Sequence, residues 1–187
     1  MEAVNHSVLI GPDGPRSFVE VVVRDAAQRV HRISAVHLSP RASIEAEQQR
    51  LREIGKVLEV LLPHRESNTP HWIVGDFNSN SPHQAFDPGR AHPRTRDEFV
   101  ANGGQLPRDV IALLEQQGYV DTLRAVHHDA ASTMMSFTTR DPGQRVDYAL
   151  AWGVPTNEIV DAWIERDDLA RFASDHFPIG VELRAAD

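Results

Sequence analysis

The sequence contains no cysteine. This absence excludes disulfide bonds, thiolate metal sites and a cysteine nucleophile, so any metal ion must be held by oxygen or imidazole ligands. It also leaves the cellular compartment undecided, and the cytoplasm is the default expectation.

The chain also lacks long apolar runs and an excess of positive charge. No stretch approaches the roughly 20 apolar residues of a membrane-spanning helix, and the start, MEAVNHSVLIGPDGP, lacks the regions of a signal peptide. A soluble protein is therefore expected. The formal net charge of -8 argues against tight, sequence-blind binding to long nucleic acids, although a local basic patch could override that average.

Apolar residues are abundant enough for one core. Of the 187 residues, 41% are hydrophobic, which predicts a single domain over 1–187. Residues 1–16 are rich in Gly, Pro and polar types and predict an irregular leader. Two apolar, β-branched stretches follow at 18–24 and 30–38, and the polar link between them predicts an antiparallel hairpin.

A long amphipathic helix is predicted after the hairpin, with Ser39 as its N-cap, Pro40 in its first turn and Pro63 at its end. Its apolar positions follow helical spacing and are Ile44, Leu51, Ile54, Leu58 and Leu61. Its charged positions predict a solvated outer face and are Glu45, Glu47, Arg50, Arg52, Glu53 and Lys56.

The later part of the chain mixes strands with a short helix. Residues 79–106 show no periodicity and predict a long loop, 107–117 predict a helix that ends at Gly118, and 119–123 predict a short extended piece. The further predicted strands are 135–138, 145–151, 158–164 and 177–183, and the turn-rich segments between them are 140–144, 153–157 and 167–174. The fold class that follows is α+β.

An acid and an amide follow one of the apolar runs. Residues 72–74 suit a strand interior, and Gly75 lets the backbone approach a neighbour closely. Asp76 and Asn78 stand two positions apart, so in an extended chain they point to the same side. Taken alone, this pair is better explained as an Asx-turn after a strand.

Similar polar residues stand at the ends of other predicted strands. His37 ends the second strand, Asp147 opens a later one, and Asp175 and His176 precede the last. Carboxylates can hold Mg²⁺ or Mn²⁺, and an imidazole can steer or deprotonate water. The set therefore has the parts for metal-assisted hydrolysis of a phosphate ester, a reaction that depends mainly on positioning and charge neutralisation.

Five short stretches occur in one order along the chain: SAVHL at 34–38, IVGDFN at 73–78, GYVDT at 118–122, RVDY at 145–148 and SDHFP at 174–178. Together they resemble the endonuclease/exonuclease/phosphatase superfamily, which includes pancreatic-type DNases, abasic-site endonucleases, sphingomyelinases and inositol polyphosphate phosphatases. The resemblance implies a DNase I-like four-layer α/β/β/α sandwich, incomplete at the N-terminus, and dependence on Mg²⁺ or Mn²⁺.

The resemblance also implies roles for individual residues. Asp76 and Asn78 would contact the scissile phosphate or its attacking water, and Asp175 would be a metal ligand. His176 would be the catalytic imidazole and Asp147 its orienting carboxylate, because a carboxylate fixes the tautomer of an imidazole and raises its basicity.

Several further residues carry weaker assignments. His37 would donate to a phosphate oxygen by the same resemblance. The arginines of the long loop, Arg90, Arg94 and Arg96, could grip a substrate phosphate, or the loop could simply be solvated. Asp121 is expected to be structural. His127 and His128 are expected in a surface loop, and the three tryptophans, Trp72, Trp152 and Trp163, in a core or an interface.

The matching region begins near the middle of the superfamily's fold. Complete members carry, before this point, an Asn-bearing strand and a Glu that is the principal metal ligand, and no residue here stands in a matching context; Glu20 is expected to face solvent. The missing portion would furnish much of one sheet. Exposed apolar faces and strand edges are therefore expected, and with them a homodimer or a partner chain that covers them.

Two functions remain open from the sequence. The first is a metal-dependent phosphoesterase that uses an activated water. The absent Glu favours the alternative, a non-catalytic or repurposed remnant that serves as a binding or assembly module. The acidic balance and the 6% aromatic content favour a small phosphate ester, a lipid head group or a short nucleic acid as substrate.

Overall fold

The two predicted N-terminal strands form one edge of a five-stranded sheet. In the computed structural model, which describes residues 17–24 and 28–184, β1 (Ser17–Arg24) pairs antiparallel with β2 (Val30–His37). The predicted hairpin is confirmed. The predicted leader and most of the link between the strands lie outside the described residues.

The sheet continues through strands from the middle of the chain. β3 (His71–Asp76) runs parallel to β2, β5 (Asp147–Trp152) runs antiparallel to β3, and the short β4 (Val120–Asp121) pairs with β5 at the far edge. The order is β1-β2-β3-β5-β4. A second, antiparallel sheet consists of β6 (Ile159–Ile164) and β7 (Ile179–Leu183).

The strand predicted at 135–138 does not form. Only Phe137 there makes isolated β-bridges, one to Gln144 and one to His176. The apolar character of this stretch therefore serves a loop that packs against the segment before β7.

The long helix is present, but both of its predicted ends are wrong. α1 (Ile44–Glu66) begins after Ser43, whose hydroxyl accepts a hydrogen bond from the N–H of Ala46 at 3.2 Å. Ser39 lies outside the helix, and its hydroxyl donates to Glu53 at 2.5 Å. The helix also passes through Pro63, and the N–H of Ser67 closes its last turn on the Pro63 carbonyl at 3.1 Å.

The charged face of α1 was predicted to be solvated, and for three of its residues this is wrong. Glu47, Arg50 and Glu53 are buried. Glu47 pairs with Arg50 at 2.7 Å and accepts hydrogen bonds from the Ser79 hydroxyl at 2.9 Å and the Val110 N–H at 2.8 Å. The helix thereby fixes the loop after β3 through a buried carboxylate, which helical periodicity alone could not reveal.

Two 3₁₀ helices, His128–Thr133 and Thr156–Glu158, and four further α-helices complete the described chain. α3 (Asp109–Gln116) confirms the helix predicted at 107–117. The other α-helices lie in segments predicted as loop, extended chain and turns, and are α2 (Pro93–Ala101), α4 (Thr122–His127) and α5 (Asp168–Ala173). Only Thr95 of α2 is buried, so this helix needs no apolar repeat, and its sequence shows no helical periodicity to detect. His127 thus ends a helix, with Nε2 at 2.6 Å from the Ala162 carbonyl, and does not lie in a surface loop.

Buried apolar residues form three clusters, and one of them packs α4 against the small sheet. The other two lie on the two faces of the large sheet. α1 and α3 pack on one face of the large sheet around Ile54, Ile73 and Leu150. The opposite face packs against the small sheet around Trp72 and Ile159. The architecture is α+β and contains part of the predicted four-layer sandwich.

The prediction that Glu20 faces solvent is wrong. Glu20 is only 9% exposed, with a carboxylate oxygen 3.2 Å from Arg32 and the other 3.8 Å from His64, so it does not face solvent. Apolar side chains are exposed at Val19, Val160 and Trp163. These side chains are not covered by the described part of the chain, and the predicted homodimer or partner chain that would cover them stays a prediction. Within the described residues, no helix is both long and apolar enough to cross a bilayer.

A buried histidine should make the stability of this fold depend on pH. His71 is fully buried, with Nδ1 at 2.9 Å from the Thr69 carbonyl and Nε2 at 2.8 Å from the Tyr119 hydroxyl, and it stacks on Trp152 at 5.1 Å. Burial lowers the pKa of His71, and the hydrogen bond to the Thr69 carbonyl opposes this only in part.

Because the folded-state pKa of His71 lies below the unfolded value, the unfolded chain binds the proton first on acidification. The contribution of His71 to stability is full above about pH 6.5 and is lost as the pH falls through the folded-state pKa. We expect the contribution of His71 to the free energy of unfolding to decline between about pH 7 and pH 5. Urea titrations at several pH values should show a shallower decline in His71→Gln, and equal slopes would contradict the assignment.

Candidate phosphoester-hydrolysis site

The register of three neighbouring strands sets the core of the site. His37 at the end of β2 lies opposite Asp76 at the end of β3, and Asp76 lies opposite Asp147 at the start of β5. Positions in register project to the same face of a sheet. The three side chains therefore form a row on the face turned toward the small sheet.

The end of β3 requires a glycine at position 75. Gly75 has a φ of 122°, and a Cβ there would lie 2.2 Å from the carbonyl oxygen of Val36. A side chain would collide with the neighbouring strand, so only glycine fits. The close approach expected from the sequence is thus to β2 itself, directly before Asp76.

Asp76 and Asn78 form the Asx-turn that the pattern alone favours, and the turn is part of the site. The Asn78 N–H donates to Asp76 Oδ1 at 2.8 Å, and Asn78 has a φ of 49°. Asn78 Nδ2 donates to Asp76 Oδ2 at 3.0 Å and to the Leu38 carbonyl at 3.1 Å. Because these two bonds use both amide hydrogens, Asn78 holds the Asp76 carboxylate in place.

His176 reaches the row from the segment between α5 and β7. Its Nδ1 lies 2.9 Å from Asp147 Oδ2, and its Nε2 lies 4.0 Å from Asp76 Oδ2. The carboxylate–imidazole pair implied by the resemblance is therefore present in geometry. The imidazole lies between two carboxylates that come from adjacent strands.

Ser136 is a member of the site that the sequence did not indicate. Its hydroxyl donates to Asp147 Oδ2 at 2.6 Å, and its carbonyl accepts the Phe177 N–H at 2.8 Å. A serine inside a short apolar stretch carries no sequence signal for such a role. Several contacts bring this loop to Asp147, among them the bridge between Phe137 and His176 and the Asp147 N–H that donates to the Ser136 hydroxyl at 3.3 Å.

Charge is concentrated at this point. Burial, and then the charge of Asp147, raise the pKa of Asp76, and the Asn78 N–H and the two histidines oppose them in part. Burial lowers the pKa of His176, but its hydrogen bond to Asp147 and the charges of Asp147, Asp76 and Asp175 outweigh burial and raise it. The site is thus a pair of close carboxylates that would gain from a nearby cation.

The donor set fits a hard divalent ion. Asp76, Asp147 and His176 each offer an atom within 4.8 Å of the others. Carboxylate oxygens suit Mg²⁺ and Mn²⁺. Asp175, the predicted metal ligand, is exposed and does not belong to this group of three; its carbonyl accepts the Thr139 N–H at 3.0 Å. Its role as a ligand stays a prediction.

The remaining predicted site residues differ in how close they lie to the site. His37 Nε2 lies 3.5 Å from Asp76 Oδ2, and its side chain is 42% exposed, so it can reach a bound group. Arg94 lines a cleft beside His176, whereas Arg90 makes an exposed contact with Asp141 at 3.4 Å and Arg96 is exposed on α2. Of the three arginines, the fold brings Arg94 to the cleft.

Asp121 has the structural role expected of it. It accepts hydrogen bonds from Arg145 at 2.9 and 2.6 Å, and both side chains are buried. Arg145 immediately precedes the segment that carries Asp147, so this ion pair anchors the start of β5.

The comparisons with protein-family models and with curated proteins gave no match. Among solved structures, an AP endonuclease from Archaeoglobus fulgidus aligns with a TM-score of 0.60 at 18% identity, over 92% of this chain and 69% of that protein. The 3′ phosphatase NExo from Neisseria, bound to a product DNA hairpin, aligns with a TM-score of 0.60 at 19% identity, over 93% and 67%.

A third structure, an endonuclease/exonuclease/phosphatase from Beutenbergia cavernae, aligns with a TM-score of 0.57 at 20% identity, over 90% of this chain and 39% of that protein. The chain has the DNase I-like fold of the endonuclease/exonuclease/phosphatase superfamily, as the resemblance predicted. It spans between 39% and 69% of the length of these three proteins.

Proposed function

We propose that this protein is a divalent-metal-dependent phosphoesterase that hydrolyses a phosphate ester in nucleic acid. The observation that carries the proposal is the arrangement of His176, with Nδ1 at 2.9 Å from one carboxylate and Nε2 at 4.0 Å from a second. Because function resides in a site and not in a fold, this geometry counts for more than the structural likeness.

The hydrogen bond to Asp147 assigns the protons of the imidazole. If Nδ1–H donates to Asp147, Nε2 carries a free electron pair directed toward Asp76. A water between Nε2 and Asp76 Oδ2 would be oriented by the carboxylate and would give its proton to Nε2 as it attacks phosphorus. Asn78 and Ser136 would keep the two carboxylates in position.

The metal would be held by the carboxylates of Asp76 and Asp147, with Asp175 as the ligand that the resemblance implies. It would supply neutralisation of the charge on the phosphoryl oxygens. His37 is accessible beside Asp76 and would donate to one of those oxygens. Nucleic acid is the favoured substrate because two of the similar structures are an AP endonuclease and an enzyme bound to product DNA.

The proposal predicts hydrolysis that requires an added ion. Purified protein should release phosphate or cleave the strand in short DNA carrying a 3′-phosphate or an abasic site, and should cleave bis(p-nitrophenyl) phosphate more slowly. Activity should appear with Mn²⁺ or Mg²⁺ and disappear with EDTA. A folded protein that turns over none of these substrates, yet binds DNA, would instead support a binding module.

A further inference from the structure

A cleft opens directly beside the proposed reaction centre. Its volume is about 150 Å³, and His176 and Asn78 line one end of it. The other end is formed by the first turn of α2, which contributes His92, Arg94 and Thr95. Pockets for drug-sized ligands measure about 300–1,000 Å³, so this cleft suits a smaller group such as one pentose with its substituents.

The surface between the two ends is aromatic. The ring of Phe137 lies 4.7 Å from the ring of His176 and 5.9 Å from the ring of His92. Phe137 therefore bridges from the catalytic imidazole to the start of α2. The apolar C–H face of a pentose that follows the scissile phosphate could lie across this ring.

Charge is distributed unevenly along the cleft. Glu98 also lines it, but Arg41 pairs with that carboxylate at 2.6 Å. Arg94 makes no ion pair with any residue in 17–24 or 28–184. The end at α2 is thus positive, while the carboxylates of Asp76 and Asp147 lie next to His176, beyond the other end.

This polarity complements a substrate that carries two phosphates. The end next to the carboxylates suits the phosphate that reacts with the help of a cation, and the arginine end suits a second phosphate without one. An isolated phosphate ester would leave Arg94 unused. A nucleic acid strand offers a second phosphate one sugar away from the first.

We propose that the cleft binds the nucleotide unit next to the scissile phosphate, with its sugar on Phe137 and its second phosphate on Arg94. This assignment rests on the proposed function and specifies its substrate class. Arg94 then selects strands with at least two phosphates over simple phosphate esters. It is a specificity-determining residue and takes no part in the proton transfers.

The test compares two substrates and two matched variants. Arg94→Ala should lower kcat/KM on a short oligonucleotide about 10- to 100-fold, mainly through KM, as expected for the loss of one charge-assisted contact. The same variant should leave hydrolysis of bis(p-nitrophenyl) phosphate unchanged. Arg96→Ala removes an equal charge from the exposed side of α2 and should leave both substrates unchanged.

The outcomes separate this assignment from the proposed function. Equal losses on both substrates, or no loss on the oligonucleotide, would overturn the role of Arg94 while metal-dependent hydrolysis stood. If the wild type turns over neither substrate, the proposed function fails. Binding of a fluorescein-labelled trinucleotide in EDTA then tests whether the cleft binds a nucleotide through Arg94. A Kd that rises at least about 10-fold in Arg94→Ala but not in Arg96→Ala supports the assignment, and equal Kd values overturn it.

Discussion

His176→Ala is expected to lower kcat for metal-dependent cleavage about 1,000-fold, which lies within the range that general acid–base catalysis contributes. The imidazole is the group whose Nε2 faces Asp76 at 4.0 Å, and alanine leaves no acceptor for the proton of the attacking water. The loss should appear in kcat with little change in KM, because the imidazole acts chiefly in the transition state.

Two companion variants sharpen this prediction. Adding Asp147→Ala to His176→Ala should lower activity further, because Asp147 would also hold the metal, and this added loss should shrink as the Mn²⁺ concentration is raised. Ser136→Ala removes the 2.6 Å hydrogen bond to the Asp147 carboxylate and the two 3.3 Å bonds that the hydroxyl accepts from the Val146 and Asp147 N–H groups. It should lower kcat about 10-fold, the lower limit for losing an outer support. Its effect should also appear as a shift in the His176 ring-proton resonances by NMR.

Steady-state kinetics with Mn²⁺, at protein concentrations checked by circular dichroism, would measure these effects. His128→Ala, at an exposed position outside the site, provides a matched loss of an imidazole and should leave kcat unchanged. A His176→Ala protein that retained most of its activity would refute His176 as the proton acceptor.

Asp121→Ala is expected to destabilise the folded protein by about 3–5 kcal/mol, because it leaves a buried guanidinium without its counter-charge. Arg145 is 1% exposed and lies 4.6 Å from the centre of the Tyr148 ring, and its Nε is already without a partner. The guanidinium would have neither water nor a carboxylate to replace the two lost hydrogen bonds.

Two control variants test whether the loss of stability comes from the unbalanced buried charge. Asp121→Leu combined with Arg145→Met removes both charges and should lie much closer to the wild type, because burying a matched ion pair gains little over burying apolar groups. Glu59→Ala breaks the exposed pair with Lys56 and should change the free energy of unfolding little. Urea unfolding measures all three, and an Asp121→Ala protein within about 1 kcal/mol of the wild type would contradict the buried-pair argument.

Sequence patterns predicted those elements whose cause is local. The alternation in β1 and β2, the apolar run of β3 and the turn chemistry of Asp76 and Asn78 depend on neighbouring residues, so the hairpin and the end of β3 are correct. Three of the four short α-helices, α2, α4 and α5, were missed because their cause is not local. α2 buries only Thr95, and its cause is packing against other segments and not its own periodicity.

The site also divides into residues that the sequence indicated and contacts that only the fold creates. The order of the motifs indicated His37, Asp76, Asn78, Asp147 and His176, which the fold brings together, although their catalytic roles stay predictions. Glu47 is buried despite its charge because, besides its neighbour Arg50, it binds Ser79 and Val110 from distant segments. Asp175 lies outside the cluster of ligand atoms even though it is adjacent to His176 in the chain.

The sequence by itself determined the α+β class, the resemblance to a phosphoesterase superfamily and the residue types of the site, because composition, turn chemistry and motif order are local properties. Only the tertiary structure decided which groups meet. Ser136 on Asp147 and Arg145 on Asp121 are contacts between separate segments, and Arg94 lines the same cleft as His176 although the two are distant in the chain. Such contacts depend on strand register and on how the helices pack, and no pattern of neighbouring residues encodes them.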